Sequence, residues 1–321
     1  MAAQRRGLDE TTLIRRYFQR PASSRRDVVL GIGDDAAITR LPPGLDLVTA
    51  TDAIFEGVHY PPGTPLRAIG HRSLAINLSD LAAMGARPLW ASLALSQPRA
   101  RAAWLREFAA GFFALADAWQ VALIGGDTVR GPQGATVTVQ GAVRRGHHIG
   151  RSGARPGDGI WITGHPGDAV AGRLQLDRRG GSRKLRQSFL YPQPRLREGR
   201  ALAGIASAMM DISDGLHEDL GKLMQASGCG AMLDLASLPL SPQLLAAVGL
   251  EAAREMALSG GDDYELLFTV PVRHEARLAR LARGWTVPAT RIGTVRKPPG
   301  LHWQLEGSAW TPCTRAFQHF G

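Results

Sequence analysis

The chain has 321 residues, a formal net charge of +10, 44% apolar residues and two cysteines, Cys229 and Cys313. That length predicts two domains of ordinary size, and two cysteines outside any metal-type spacing argue against a disulfide scaffold and for a reducing cytoplasm. No run of about 18 apolar residues is present, and residues 1–10 lack an apolar signal core, so neither a membrane span nor a secretory leader is expected.

Taken from the N-terminus, residues 8–19 place Leu13, Ile14, Tyr17 and Phe18 on one side of a short helix. Residues 27–32 read as a strand running into Gly33-Asp34-Asp35, and residues 45–53 alternate as a second strand carrying Thr51-Asp52. A long helix over 66–84 closes at Gly85. A strand over 89–95 precedes a helix over 100–119, in which Trp104, Phe108, Phe112 and Leu115 keep helical spacing. A buried strand over 121–124 ends in Gly125-Gly126-Asp127, and residues 135–143 form another. The Gly- and Arg-rich stretch 146–159 marks a boundary near residue 150, giving domains over 1–150 and 151–321. The second half restarts with a strand over 159–163, a helix from Asp168, and a polar segment over 177–187 read as a mobile loop. Helices over 195–207 and 216–227, a strand over 231–235, a strand over 264–270, a helix over 273–283 and a strand over 290–295 follow. Both halves mix strands and helices without a strict βαβ repeat, which predicts two α/β (or α+β) domains.

Acidic motifs recur where these elements end: Gly33-Asp34-Asp35, Thr51-Asp52, Asn77-Leu78-Ser79-Asp80, Gly125-Gly126-Asp127 and Asp211-Ile212-Ser213-Asp214. Asp oxygens are hard ligands suited to Mg²⁺, with one or two carboxylates per ion when phosphates supply the rest. Glycine beside them lets backbone approach a ligand, although each motif is also what a tight turn contains. Two adjacent Asp residues point in different directions, so one of Asp34 and Asp35 reaches a ligand. Asn77 and Asp80 share a helix face, and an Asp among apolar neighbours there must be exposed or paired. Asp211 and Ser213 lie on one side of an extended segment, with Asp214 opposite or at a helix N-cap. Ser259-Gly260-Gly261-Asp262-Asp263-Tyr264-Glu265-Leu266 is a further glycine turn with three acids. There is no GxxxxGK[ST] loop, no kinase HRD or DFG, no GxSxG and no HExxH. An enzyme that uses ATP with this sequence needs another scaffold.

In order, GIGDDAA, NLSDLAAMGA, LIGGDTVRG, GRSGARPGD, DISDGL and SGGDDYEL resemble the thiamine-monophosphate kinase family. That family belongs to an ATP-binding superfamily with aminoimidazole ribonucleotide synthetase, selenophosphate synthetase and a hydrogenase-maturation protein. The resemblance runs from residue 8 to the C-terminus and implies a two-domain synthetase-superfamily architecture. Its N-terminal domain carries a mixed sheet that forms a barrel-like homodimer interface, and its C-terminal domain is α/β. It implies ATP-dependent phosphorylation of thiamine monophosphate to the diphosphate. Asp35, Thr51, Asp52, Asp80, Asp127, Asp211 and Asp214 would hold several Mg²⁺ ions. Gly126, Asp127, Arg151 and Ser213 would meet ATP, while His59, Asp262 and Phe317 would contact the thiamine phosphate. Three positions depart from the family pattern: Ala50 where Ser is frequent, Asp262 where Glu is usual, and Phe317 in place of Tyr or Trp.

The resemblance carries a mechanism. A phosphate monoester has a second pKa of about 6 and is mostly dianionic at neutral pH, so no general base is needed. The barrier is repulsion and alignment, since two unit charges 4 Å apart repel by about 4 kcal/mol at an effective dielectric near 20. Direct in-line transfer without a phosphoenzyme is expected. Two other readings compete with it. One is aminoimidazole ribonucleotide synthetase-like cyclisation; the other is nucleic-acid binding driven by the net charge. The arginines are scattered, without a dense basic helix or interleaved aromatics, which places nucleic-acid binding behind the enzyme reading.

Overall fold

The structure is a computed structural model that describes residues 10–20 and 25–311. Phe317 therefore lies outside the described residues. The chain divides into two compact units, one comprising residues up to Leu81 with Pro88–Arg145, the other Ala82–Arg87 with the residues from Gly146 onward.

The first unit contains α1 (Glu10–Tyr17), β1 (Val28–Leu30), β2 (Ile38–Thr39), β3 (Leu45–Phe55), α2 (Leu66–Ala83), β4 (Arg87–Gln97), α3 (Ala102–Ala118), β5 (Ala122–Arg130) and β6 (Gly134–Arg144). Its four-stranded sheet has the order β3-β6-β4-β5, and β1 and β2 form a separate antiparallel ribbon. Strands β3 and β6 pair antiparallel over their full length, from Leu45 opposite Arg144 to Phe55 opposite Gly134, whereas β4 and β5 run parallel. Helix α3 presents Trp104, Phe108 and Phe112 as a stacked series, with centroids 5.0 and 6.4 Å apart. Backbones of α2 and α3 touch: a Cβ at Gly70 would sit 2.0 Å from the Phe108 carbonyl, and one at Gly111 would sit 1.9 Å from that of Arg67. Only glycine permits that approach. Helix α1 packs on α3 through buried Leu13 and Phe18, and Arg20 lies 3.7 Å over the Phe113 ring.

The second unit contains β7 (Gly159–Thr163), α4 (Asp168–Arg173), α5 (Arg183–Leu190), α6 (Leu196–Ala201), β8 (Ala208–Asp211), α7 (Leu216–Ser227), β9 (Gly230–Asp234) and a 3₁₀ turn over Leu235–Ser237. Then come α8 (Pro242–Val248), α9 (Leu250–Ser259), β10 (Leu266–Val270), α10 (Val272–Ala282), β11 (Ala289–Arg296), β12 (Gly300–Leu305) and β13 (Ser308–Trp310). One mixed sheet of seven strands has the order β13-β12-β9-β11-β7-β10-β8. Its core joins Ile160, Ile162, Met210 and Leu267 of the sheet to Leu216, Leu220 and Leu223 of α7. Alternate apolar residues of each strand and the i, i+4, i+7 series of the helix thus bury against one another. The architecture is mixed α/β in both units.

Several expectations are corrected. The segment 177–187 is not a continuous loop, because α5 begins at Arg183. Ser182 caps it by accepting from the Leu185 amide at 3.4 Å, and Leu185 and Phe189 bury its apolar face. The helix over 195–207 is shorter, ending at Ala201 before a series of turns. The acidic motifs do not all end elements: Thr51-Asp52 lies inside β3, and β5 continues through Gly125-Gly126-Asp127 to Arg130. That strand continues because a bulge absorbs one residue, with Ala91 opposite Leu123 but Ser92 opposite Gly125. Gly126 has φ +148, and a Cβ there would meet the Leu93 carbonyl at 1.9 Å. The sheet-forming strands β8 and β12, the ribbon strand β2 and helices α8 and α9 carry too little periodicity in so short a span to stand out in the sequence.

Candidate functional site

A cleft of about 450 Å³ opens in the first unit. Ile14 of α1, Phe18 and Gln19 just after it, the 32–37 turn between β1 and β2, and Leu123–Thr128 of β5 form its walls. The Gln19 side-chain amide donates to the Ile32 carbonyl at 3.1 Å and ties the helix end to the turn. Asp34 accepts from the Asp35 amide at 2.9 Å, so one oxygen of the first carboxylate is spent on the turn itself. Asp35 and Asp127 are exposed. Asp127 accepts from the following Thr128 amide at 2.7 Å. The structure therefore brings Asp35, Gly126 and Asp127 to one space, with strand backbone that has no side chain at Gly125 and Gly126.

Thr51, Asp52, His59 and Asp80 are not among the residues that line this cleft. Thr51 and Asp52 are exposed on the edge strand β3, where the Thr51 hydroxyl meets that of Thr138 at 2.9 Å. The Asp52 amide donates to Asn77 Oδ1 at 2.8 Å, and Asn77 donates back to the Ser73 carbonyl. Asn77 is fully buried, so the helix face that carries the half-buried Asp80 is latched to the strand beside Asp52. His59 Nδ1 accepts from the Phe55 amide at 3.0 Å, which places the proton of a neutral ring on Nε2.

In the second unit, Asp211 is buried at the end of β8, opposite Leu266. Asp214 is not an N-cap: Gly215 occupies that position on α7, and the Asp214 carboxylate pairs with Lys222 Nζ at 2.5 Å. Asp219 explains the difference. Its Oδ2 accepts from the amides of Ser213 and Asp214 at 2.8 and 2.9 Å, and its Oδ1 takes a second Lys222 contact at 2.8 Å. Burial raises the Asp219 carboxyl above the usual range, while Lys222 pulls the other way. Burial also opposes the Lys222 ammonium, but its bonds to Asp214 and Asp219 hold its pKa above that of a free lysine. The pairing of Asp214 with Lys222 means that a cation already sits on one of the expected metal ligands.

The Gly260–Glu265 segment lies against this loop, with the Asp262 and Tyr264 amides donating to the carbonyls of Ser213 and Ile212 at 2.9 and 2.8 Å. Asp211, Ser213, Asp214 and Asp262 are thus gathered by two adjoining loops. Asp263 turns away and accepts from the Gly167 amide at 2.9 Å, capping α4 in place of an N-cap side chain. Burial pushes its carboxyl well above the ordinary range. Glu265 forms a fork with Arg195 and accepts from Thr163 Oγ1 at 2.6 Å. Arg151 is exposed in the segment before β7, and its carbonyl accepts from Ser227 at 3.2 Å.

Asp219 and Lys222 are participants that sequence reasoning missed, and Asp263 and Tyr264 stood in the glycine turn without a role of their own. A signal for Asp219 existed in its i, i+3 spacing to Lys222 directly after the DISDG loop, but that spacing is also common on solvated helices. Among the described residues no three His, Cys, Asp or Glu side chains gather closely enough to hold a metal by themselves. The donor chemistry of the cleft, the three exposed carboxylates of Asp34, Asp35 and Asp127 near bare glycine backbone, fits ions carried by phosphates with one or two protein carboxylates each. No helix of the described residues is long and apolar enough to cross a membrane.

The two units and their acidic loops define the class. Residues 33–143 match the family model for the N-terminal domain of AIR synthase related proteins, and residues 155–305 match the model for their C-terminal domain. A solved hydrogenase maturation protein HypE in complex with ATP superposes with a TM-score of 0.73 at 21% identity, covering 98% of this chain and 96% of that one, which shows the shared fold. Within that class, the thiamine-monophosphate kinases of Salmonella typhimurium and of Escherichia coli K12 are each 43% identical over 318 residues, 97% of this chain and 98% of theirs. The thiamine-monophosphate kinase structure from Stenotrophomonas maltophilia has a TM-score of 0.84 at 43% identity, covering 89% of this chain and 93% of that one. AaThiL complexed with AMPPCP and TMP has a TM-score of 0.75 at 30% identity, covering 90% and 92%. The chain belongs to the thiamine-monophosphate kinase family and is an enzyme of that family.

Proposed function

We propose that the chain transfers the γ-phosphoryl group of ATP to the phosphate of thiamine monophosphate, in one direct in-line step that yields thiamine diphosphate and ADP. The observation that carries this reading is the cleft of the first unit, where glycine backbone and the exposed carboxylates of Asp35 and Asp127 face a common space. The pairing of AMPPCP with TMP in AaThiL supports a reaction between a nucleoside triphosphate and a phosphorylated acceptor.

We assign residues 1–150 to nucleotide and metal binding and to dimerisation, and residues 151–321 to a domain that supplies further ligands. Gly126, Asp127, Arg151 and Ser213 bind ATP; His59, Asp262 and Phe317 bind the acceptor; Asp35, Thr51, Asp52, Asp80, Asp127, Asp211 and Asp214 are the metal ligands. Mg²⁺ held there supplies neutralisation of phosphate charge and alignment of donor with acceptor. The acidic side chains set where positive charge can collect, and Gly125, where an added Cβ would meet nothing within 4 Å, leaves room for phosphate oxygens against the strand. Lys222 keeps the Asp214 carboxylate neutralised before substrates arrive. No residue acts as a general base, because the acceptor is already a dianion. The chain works as a cytoplasmic homodimer through the four-stranded sheet, whose edge strand β3 leaves Leu47 half-exposed.

A coupled ADP assay tests the reading. ADP release in the presence of ATP and Mg²⁺ must depend on added thiamine monophosphate. Release at the same rate without the acceptor overturns it.

A further inference from the structure

Between α9 and β10 the backbone enters the left-handed region twice at residues other than glycine, with φ +67 at Asp262 and +53 at Tyr264. L side chains adopt that region rarely and at a cost, so neighbouring structure must enforce it. The enforcing bonds are present: both amides are anchored on the 212–213 loop, and the Asp263 side chain between them is anchored on α4. The result is that three successive side chains leave in chosen directions. Tyr264 folds back, its ring buried, and its hydroxyl donates to Asp262 Oδ1 at 3.0 Å.

We propose that Tyr264 is a positioning residue whose hydroxyl fixes the carboxylate of Asp262 for the acceptor. This rests on the reading of Asp262 as an acceptor-binding residue. Asp262 is one methylene shorter than the Glu usual in the family motif, so its carboxylate stands closer to the backbone and depends more on a partner to hold one orientation. A negative carboxylate suits the cationic heterocycle of thiamine monophosphate, not its phosphate dianion. Holding the carboxylate before binding removes rotamer freedom that the substrate would otherwise have to order.

Tyr264→Phe keeps the ring and removes only the hydroxyl. The expected result is a rise of about tenfold in KM for thiamine monophosphate and in its Kd by calorimetry, the loss of one hydrogen bond to a charged acceptor. KM for ATP, kcat and the thermal midpoint stay unchanged. Asp262→Asn produces a comparable loss alone and little further loss in the double variant, because the two act through one contact. Adding Asp262→Glu to Tyr264→Phe restores affinity, since the longer arm does not need the hydroxyl. If Asp262→Asn weakens acceptor binding while Tyr264→Phe does not, the positioning role fails and the reading of Asp262 stands. If Asp262→Asn leaves acceptor binding untouched, the reading of Asp262 fails and takes the proposal with it. A drop in thermal midpoint with equal losses for both substrates makes Tyr264 a structural prop and overturns the proposal.

Discussion

Asp127 is exposed, and its hydrogen bond runs to the amide of its own neighbour, so replacing it with Asn disturbs little of the fold. Asp127→Asn is therefore expected to melt with the parent while kcat/KM for ATP falls about 10²-fold, the scale of losing one preorganised electrostatic contact; unchanged kinetics would remove it from the site. The buried carboxyls of the second unit behave differently. Asp168, Asp219 and Asp263 are all raised above the ordinary carboxylate range, in each case by burial first. The folded chain then holds these protons more tightly than the unfolded chain. Their contribution to stability is complete below the unfolded value of about 3.9 and is lost as pH rises through the raised folded values. Measured by urea denaturation at stepped pH, the stability of Asp263→Asn relative to the parent should increase from acidic to neutral pH, and a flat or falling difference contradicts this. At this scale the turns Gly33-Asp34-Asp35 and Gly125-Gly126-Asp127 stood out in the sequence because bare backbone near a carboxylate suits a ligand, while the choice of Asp35 over Asp34 rested on the family resemblance. The roles of Asp219, Lys222 and Tyr264 were not legible, because what matters in them is a partner that only folding supplies.

Elements in this chain are held by side chains from other elements as much as by their own periodicity. Ser241 is the clearest case: fully buried, it accepts from the Leu244 amide at 3.0 Å to cap α8 and donates to Asp168 Oδ1 at 2.6 Å in the first turn of α4. Ser241→Ala removes both bonds, and a loss of about 1–2 kcal/mol is expected from denaturant unfolding; a change within error would show that water replaces the cap. Long elements with a repeated apolar stripe, such as α3 and α7, were legible almost to the residue, since Trp104, Phe108, Phe112 and Leu115 all bury on one side. Helix α5 was hidden because its polar composition resembles a loop and two side chains, Leu185 and Phe189, carry its packing. The continuation of β5 past Ile124 was hidden for a different reason: two glycines read as a turn, but here they admit a bulge in the middle of a strand.

At the scale of the molecule, the net charge of +10 coexists with acidic loops in both units. Charge of that kind acts on association rates and on the attraction of anionic substrates, not on the fold. The cleft in the first unit and the two adjoining loops in the second each collect carboxylates from separated stretches of chain. The mixed α/β class was legible from the alternation of strands and helices, whereas the seven-strand order of the second sheet was not, because strand order depends on long-range pairing that short apolar runs do not encode. The most direct measurement is to incubate the purified chain with thiamine monophosphate, Mg²⁺ and ATP labelled at the γ-phosphorus, and to follow the label. It should appear in the terminal phosphate of thiamine diphosphate, with none retained on the protein. Label recovered on the protein as a competent intermediate contradicts direct transfer, and label found solely in inorganic phosphate contradicts the kinase itself.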